Sequence, residues 1–346
     1  MTADEQIVRH ARVGDRSVAW CAVGSGSPLV IGGWWASHLA VNWDDPAFQR
    51  FVRALSRRHT VIRYDRPGTG LSDRDGPPPV SLDDEVATLA GLLGAIDDFP
   101  RASLMGASSG SAVAAAYAAQ HPERVDRLVL YGSYPRGADI APRAAREQLV
   151  SIVEHQWGLG ARVLADVFLP NATGGERAEF ARFQRRSASR ETASKALRAV
   201  YEIDSAAYLA RLRVPTLVLH RRDDRAIPFA LGREVADTVP GATFVALDGD
   251  DHFPWLGDSL AVVDATERFL DGLPPRPQAE PRHAAALTVR EREVLTLVAQ
   301  GLTDAQIADR LYLSSHTVHR HVANARTKLG VPSRAAAAAW VLTHPR

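Results

Sequence analysis

The sequence predicts an α/β domain built on a largely parallel sheet, followed by a small all-α domain. Over roughly the first 273 residues, short apolar runs alternate with helix-length segments. Four prolines then crowd residues 272–282, and beyond them the pattern changes to short helices with clear start and stop signals. Strands that alternate with helices are typical of βαβ units, whose strands run parallel.

The elements of the first domain follow from these runs. The predicted strands are 28–33, 59–64, 101–106, 125–132, 214–220 and 242–247. The predicted helices between and after them are 46–57, 82–96, 109–120, 229–238 and 258–273. Two earlier runs, 7–13 and 17–23, have no helix between them, so we expect an antiparallel hairpin that leads into the sheet.

Residues 135–212 lack strand patterns and are rich in Ala, Arg and Glu, which predicts helices interrupted near 170–175. Such an insertion between two strands indicates a lid; the alternative is a helical excursion with no gating role. The predicted organisation is an α/β domain at 1–273 with a helical cap at about 135–212, a Pro-rich linker at 274–284, and a helical domain at 285–346.

Composition narrows the class of protein. The chain has 346 residues, of which 46% are hydrophobic and 23% charged, as in ordinary globular proteins. The net charge is +1, but residues 285–346 carry +4 and the rest −3. A basic tail on a mildly acidic body indicates a nucleic-acid partner.

Cys21 is the sole cysteine, which excludes a disulfide framework and a cysteine-based zinc site. Residues 1–10 lack the apolar core of a signal peptide, and no apolar run is long enough to span a membrane. We therefore expect a cytoplasmic location and no membrane partner.

The carboxy-terminal domain is punctuated by helix caps. The sequences TVRE from Thr288 and TDAQ from Thr303 are capping boxes. A third helix is predicted from Ser314 or Ser315 to Leu329, and Ser333 caps a fourth. Short helices joined by a tight turn indicate a helix-turn-helix unit.

The third helix has two distinct faces. Its core face carries Val318, Val322, Ala325 and Leu329. Its other face carries no acid and comprises His316, His319, Arg320, Ala323 and Thr327. Arg320 suits guanine edges, and His319 can donate or accept. Phosphate contacts suit Thr317, Asn324, Arg326 and Lys328. The alternative is a helical bundle whose basic face is merely solvated.

Residues 287–334 resemble the LuxR-type DNA-binding domain in LTVREREVL, GLTDAQIADRL and TVHRHVANARTKLGVPSR. The resemblance implies that the third helix enters the major groove of double-stranded DNA, usually in a homodimer formed through the fourth helix. It places base-reading positions on His319, Arg320 and Ala323, and backbone-contacting positions on Thr317 and Lys328. Because Ala323 is small where many relatives carry a long side chain, the preferred DNA sequence does not follow.

A motif of the first domain predicts a nucleophile. The sequence LMGASSG, with Gly106, Ser108 and Gly110, follows a predicted strand and opens an alanine-rich helix. In that context G-x-S-x-G is typical of a nucleophile elbow, a sharp turn that holds the serine hydroxyl clear of the backbone. The amide of Ser109 would then face a developing oxyanion.

A nucleophilic serine needs a base, and the base needs an acid that orients it, in the chain order Ser, acid, His. Asp223 and Asp224 follow one predicted strand, and His252 follows the next. Taken alone, Asp224 would be interpreted as a turn residue and His252 as a loop histidine. Together with Ser108, each after its own strand at the functional edge of the sheet, they predict a catalytic triad.

Residues 6–273 resemble the α/β-hydrolase family in YDRPGTGLSD, AAQHPERVDRLVLYGS and the DDRAIP turn. The resemblance implies Ser108 as nucleophile, Asp224 as acid and His252 as base. Asp224 is preferred to Asp223 because it stands four residues before Pro228, where the family's acid usually falls.

The resemblance also implies an oxyanion donor in the loop after Gly32 and Gly33. We choose the Trp34 amide, with the Ser109 amide as the second donor. This loop reads Gly-Gly-Trp-Trp and departs from the family's common His-Gly pair.

The expected reaction is acyl transfer to water from esters or lactones, or less often cleavage of C–C bonds. We expect no cofactor, and no metal, because Asp250 and Asp251 beside one histidine make a poor ligand set.

Two functions stay open. The first is a transcriptional regulator whose hydrolase domain binds a small molecule that biases DNA binding. The predicted triad allows this domain to hydrolyse the molecule as well. The second is a serine esterase or lactonase whose DNA-binding tail localises it or regulates its own gene. A ligand-dependent change in DNA affinity separates them.

Overall fold

The computed structural model describes residues 6–32, 34–75, 78–96, 98–276, 287–329, 331 and 333–343. The chain divides into two compact units at about residue 275. Most of the predicted linker, 277–284, lies outside the described residues. Within the described ranges, no helix combines the length and the apolar character needed to cross a membrane.

Eight strands form one sheet in the described part of the first unit. They are β1 (Ile7–Val13), β2 (Arg16–Val23), β3 (Ser27–Gly32), β4 (His59–Tyr64), β5 (Ala102–Ala107), β6 (Val125–Tyr131), β7 (Thr216–Arg221) and β8 (Thr243–Leu247). Their order is β1-β2-β4-β3-β5-β6-β7-β8. β2 pairs antiparallel with β1 and β4, and the other pairs are parallel. The predicted hairpin and largely parallel sheet are confirmed.

Helices cover both faces of this sheet. In chain order they are α1 (Leu39–Asp44), α2 (Pro46–Ser56), α3 (Leu82–Ile96), α4 (Ser109–Gln120), α5 (Arg143–His155), α6 (Trp157–Phe168), α7 (Gly174–Ser187), α8 (Arg190–Glu202), α9 (Ala206–Leu209), α10 (Phe229–Thr238) and α11 (Ser259–Leu270). One core joins the sheet to α3, α4 and α10 through residues such as Leu89, Val113 and Val235. The other joins it to α2 and α11 through Phe51 and Val262. Two covered faces explain why the central strands are almost continuously apolar.

Helices α5 to α9 lie between β6 and β7, which confirms the predicted helical block. Helices α5, α6 and α8 share an apolar core, in which Val153, Leu164 and Leu197 pack together with Trp35 from the loop after β3. The predicted interruption near 170–175 is the turn between α6 and α7, where Thr173 caps α7.

Some predicted bounds shift for local reasons. β7 starts at Thr216 rather than at residue 214; the proline before it has no amide hydrogen for a sheet. The helix predicted to reach residue 273 ends at Leu270. Gly272 there takes φ +72°, a left-handed conformation that terminates helices.

The second unit contains α12 (Val289–Ala299), α13 (Asp304–Leu311), α14 (Ser315–Leu329) and α15 (Arg334–Thr343). Both predicted capping boxes are present, at Thr288 and Thr303. The Ser314 hydroxyl accepts from the Thr317 amide at 3.0 Å, so Ser314 caps α14. The predicted core face of α14 packs on the other helices through Val318, Val322, Ala325 and Leu329.

Candidate functional site

Ser108 lies in the turn between β5 and α4 with φ +54° and ψ −127°. A non-glycine residue at positive φ is strained, and the surrounding backbone holds it there. Its amide donates to the Tyr131 carbonyl at 2.9 Å, and its carbonyl accepts from the Ser111 amide at 3.0 Å. A Cβ on Gly106 would lie 2.4 Å from the Gly110 carbonyl oxygen, so only glycine allows this close approach.

Asp224 and His252 form a buried hydrogen-bonded pair. Oδ2 of Asp224 lies 2.9 Å from Nδ1 of His252, and the two residues are 7% and 3% exposed. The other carboxylate oxygen accepts from the amides of Ala226 and Ile227 at 2.9 and 3.2 Å. Because Nδ1 donates to the carboxylate, Nε2 of the neutral imidazole is left as a proton acceptor.

The surroundings distinguish the two candidate acids. Burial raises the pKa of Asp224, but the charges of His252 and His220 and the hydrogen bonds from His252 and the Ile227 amide together outweigh burial, so this pKa lies below its ordinary value. Burial and the charges of Asp250 and Asp248 raise the pKa of Asp223. The carboxylate that contacts His252 is that of Asp224, and Asp224 as the triad acid stays a prediction.

Gly132 connects the serine turn to this pair. It follows Tyr131, whose carbonyl holds the Ser108 amide, and takes φ +54°. A Cβ placed on it would lie 3.6 Å from both the Asp224 carboxylate and the His252 ring. The end of β6 thus brings the Ser108 turn alongside the Asp224–His252 pair.

The loop that carries His252 is held by Arg221, a residue that the sequence analysis missed. Arg221 is 1% exposed and donates to the Asp251 carboxylate at 3.2 Å and to the Leu256 carbonyl at 2.5 Å. The Tyr131 hydroxyl also donates to the Asp251 carbonyl, at 3.3 Å. The available signal was a charged residue two positions after the apolar run 217–219.

A cavity opens at Ser108 beneath the cap. Its volume is about 50 Å³. Its described walls are Ser108, Ser109, Trp35, Tyr201 and apolar side chains of the cap and of the Asp224 loop. Phe168, at the end of α6, lines this cavity and stacks on the His252 ring. No charged side chain is among these described wall residues, which favours an uncharged, largely apolar ligand.

The two predicted oxyanion donors have different surroundings. Ser109 is the first residue of α4, where the helix amides point outward and the dipole favours negative charge. The Trp34 ring is buried against Phe48 and Trp255, and Gly33 lies outside the described residues. The Trp34 amide as donor stays a prediction.

Nowhere in the described ranges do three or more His, Cys, Asp or Glu side chains cluster as metal ligands would.

The predicted DNA-facing residues fall into two groups. His319, Arg320, Ala323 and Asn324 are exposed together on α14. Thr317 is partly buried and hydrogen-bonded to Ser314. Nζ of Lys328 lies 2.6 Å from the Glu291 carboxylate, which is buried. Lys328 thus has a structural partner that sequence spacing did not reveal. The side chains of His316 and Thr327 lie outside the described residues.

Residues 29–266 match the alpha/beta hydrolase family. The chain belongs to that family. Residues 285–341 match the bacterial regulatory proteins of the luxR family. One chain therefore joins an α/β-hydrolase domain to a LuxR-type helix-turn-helix DNA-binding domain, as the sequence predicts.

Two relatives and one solved structure are similar to most of this chain. The pimeloyl-[acyl-carrier protein] methyl ester esterase of Xanthomonas campestris pv. campestris (strain B100) is 30% identical over 263 residues, 73% of this chain and 98% of that protein. The pyrrolizixenacetamide deacetylase of Xenorhabdus hominickii is 26% identical over 248 residues, 69% of this chain and 90% of that protein. The enol-lactonase of Burkholderia xenovorans LB400 has the same fold, with a TM-score of 0.62 and 23% identity over 76% of this chain and all of that one.

Proposed function

We propose that this chain is a DNA-binding transcriptional regulator whose α/β-hydrolase domain binds and hydrolyses a small ester or lactone. In this proposal the state of the hydrolase site biases the affinity for double-stranded DNA. The protein would act in the cytoplasm as a homodimer, without a cofactor or metal. The observation that carries the proposal is the buried Asp224–His252 hydrogen bond beside the Ser108 turn, in a chain with a LuxR-type domain.

The proposed reaction uses Ser108 as nucleophile. As its oxygen attacks the acyl carbon, His252 takes the hydroxyl proton on Nε2, and Asp224 stabilises the resulting imidazolium. The amides of Ser109 and Trp34 are assigned to the oxyanion. His252 returns the proton to the leaving alcohol, and an acyl-Ser108 forms. His252 then activates a water molecule. The water attacks the acyl carbon, which frees the carboxylic acid and restores Ser108.

Names of relatives support the ester and lactone classes. A methyl ester esterase and a pyrrolizixenacetamide deacetylase are similar in sequence to this chain, and an enol-lactonase has the same fold. The apolar walls of the cavity at Ser108 fit an uncharged acyl group.

The first test is intact mass after exposure to a serine-reactive fluorophosphonate. One adduct that both Ser108→Ala and His252→Ala abolish is expected, because only an activated serine reacts quickly. Absence of an adduct in folded wild-type protein would contradict hydrolysis.

A second candidate function rests on the same geometry. The same acid–histidine pair also suits an esterase or lactonase whose DNA-binding tail localises it or regulates its own gene. Binding of the adduct and of the free protein to genomic DNA fragments separates the two. Coupling predicts different affinities, since a ligand shifts a DNA-binding equilibrium only by its differential affinity for the two states. Equal affinities would favour the enzyme.

A further inference from the structure

A second histidine, His220, lies beside the Asp224 carboxylate. It stands near the end of β7, and none of its surface is exposed. Nε2 of His220 lies 3.0 Å from the Ile227 carbonyl oxygen and 3.7 Å from Oδ2 of Asp224. Since Nδ1 of His252 also contacts Oδ2, two histidine rings lie close to the same carboxylate oxygen.

The hydrogen bond to Ile227 fixes which nitrogen of His220 carries the hydrogen. A carbonyl oxygen only accepts, so Nε2 must donate. Burial outweighs the nearby Asp224 charge and lowers the pKa of His220, which favours the neutral ring. Nδ1 then carries no hydrogen, and it has no hydrogen-bond partner in the described ranges. A Cβ on Gly232 would lie 2.0 Å from Nδ1, so α10 confines the ring closely.

Residue Ile227 connects the His220 ring to the Asp224 carboxylate. Its carbonyl accepts from Nε2 of His220, and its amide donates to Oδ1 of Asp224 at 3.2 Å. The Ala226 amide donates to the same oxygen at 2.9 Å. His220 therefore holds the end of a turn whose amides fix one carboxylate oxygen, while the other oxygen faces His252.

Loss of the His220 donor would disturb this turn. Ile227 is 4% exposed, so its carbonyl would be left buried and unpaired, which costs free energy. The turn can recover that free energy only by moving the carbonyl towards another donor. Because the same turn holds Oδ1 of Asp224, such a movement displaces the carboxylate from its 2.9 Å contact with His252.

We propose that His220 is a positioning residue, which holds the Asp224 carboxylate in place against His252 through the turn that ends at Ile227. The proposal rests on the proposed function, in which Asp224 orients the general base. His220 is not among the described residues that line the cavity at Ser108, so it acts on the reaction through Asp224 and without contact to the ligand.

Three substitutions separate positioning from a general loss of stability. His220→Phe keeps a ring and removes the donor. His220→Gln places an amide donor near the position of Nε2. The matched control is His59→Phe, because His59 is a buried histidine of β4 whose ring also has polar partners, Ser27 and Glu267.

The first measurement is the rate of fluorophosphonate labelling between about pH 5 and pH 9, the range in which histidine changes charge. His220→Phe should lower the maximal rate by about tenfold or more, because small displacements of a catalytic group carry large rate costs. The pH of half-maximal rate should also fall, because a displaced carboxylate stabilises the protonated His252 ring less. His220→Gln should keep the rate within about threefold of the wild type. His59→Phe should leave the pH of half-maximal rate unchanged, since loss of folded protein lowers only the labelled fraction.

A spectroscopic measurement does not depend on hydrolysis. The hydrogen-bonded Nδ1–H of His252 should give a downfield proton resonance that is absent from His252→Ala. We expect this resonance in the wild type, in His220→Gln and in His59→Phe, and its loss in His220→Phe. If His220→Phe fails to fold, Gly232→Ala takes its place, because the added Cβ would displace the His220 ring.

The two measurements separate this proposal from the proposed function. Loss of the resonance in His220→Phe but not in His59→Phe, with no labelling of the wild type, would retain the positioning role and overturn hydrolysis. Labelling of the wild type, with an unchanged resonance and pH of half-maximal rate in His220→Phe, would overturn the positioning role and retain hydrolysis. Equal losses in all three variants would overturn it as well, because any replaced buried histidine would then have the same effect.

Discussion

The Phe168 ring stacks on the His252 imidazole, with ring centroids 5.4 Å apart and planes inclined by 17°. Phe168 ends a cap helix, and His252 lies on a loop after the last strand of the sheet. The contact therefore ties the cap to the proposed general base. It gives the predicted lid a physical means of acting on the site, since any movement of α6 changes the surface that confines the imidazole.

Phe168→Ala should slow reaction of Ser108 by about ten- to a hundredfold, because small displacements of a catalytic group carry large rate costs. The measurement is the rate of fluorophosphonate labelling. Phe180→Ala is the matched control, since Phe180 packs on Phe168 and Phe253, while the stacking contact with His252 is made by Phe168. Equal slowing in the two variants would show that the cap core, rather than the stacked ring, sets the rate.

Asp224→Asn should reduce the labelling rate by about 10⁴-fold, as loss of the orienting acid does in other triads. The asparagine amide favours the wrong imidazole tautomer at the 2.9 Å contact with His252. Asp223→Asn, next along the chain, should change the rate by less than about threefold, because Asp223 lies among other acids. A large loss in Asp223→Asn with a small one in Asp224→Asn would reverse the assignment.

Asp224 should also contribute a pH-dependent term to stability. Burial raises its folded-state pKa, but the charges of His252 and His220 and the hydrogen bonds that the carboxylate accepts together outweigh burial, so this pKa lies below the ordinary value. A carboxyl with a depressed folded pKa stabilises the fold above its unfolded pKa of about 3.9, and this contribution is lost as pH falls through the folded pKa. The difference in free energy of unfolding between wild type and Asp224→Asn, from urea titrations, should therefore shrink between pH 6 and pH 3. A constant difference would contradict the depressed pKa.

The fold and the placement of the candidate site residues could be predicted because their signals are local. The Ser108 turn depends on glycines two residues to either side, and Gly106 is required there by a 2.4 Å approach to a backbone oxygen. Asp224 and His252 each follow a strand, and parallel strands deliver such residues to one edge. Capping boxes likewise fix the helix starts at Thr288 and Thr303.

The residues that were missed act through tertiary contacts. Arg221 follows His220 at the end of β7, and its role depends on partners on the His252 loop that lie 30 and 35 residues away in the chain. Phe168 belongs to an apolar helix face, and nothing in α6 indicates that a histidine will lie beneath it.

The α14 helix offers a test that separates DNA contact from folding. Arg320 is exposed, so Arg320→Ala should weaken specific DNA binding by about 1–3 kcal/mol and leave the melting temperature unchanged. Lys328 instead neutralises the Glu291 carboxylate, which is 3% exposed, so Lys328→Ala should cost about 1–3 kcal/mol of stability. Gel-shift titrations and thermal melts of both variants check these outcomes. A Lys328→Ala protein with normal melting and a reduced salt dependence of DNA binding would return Lys328 to the role of phosphate contact alone.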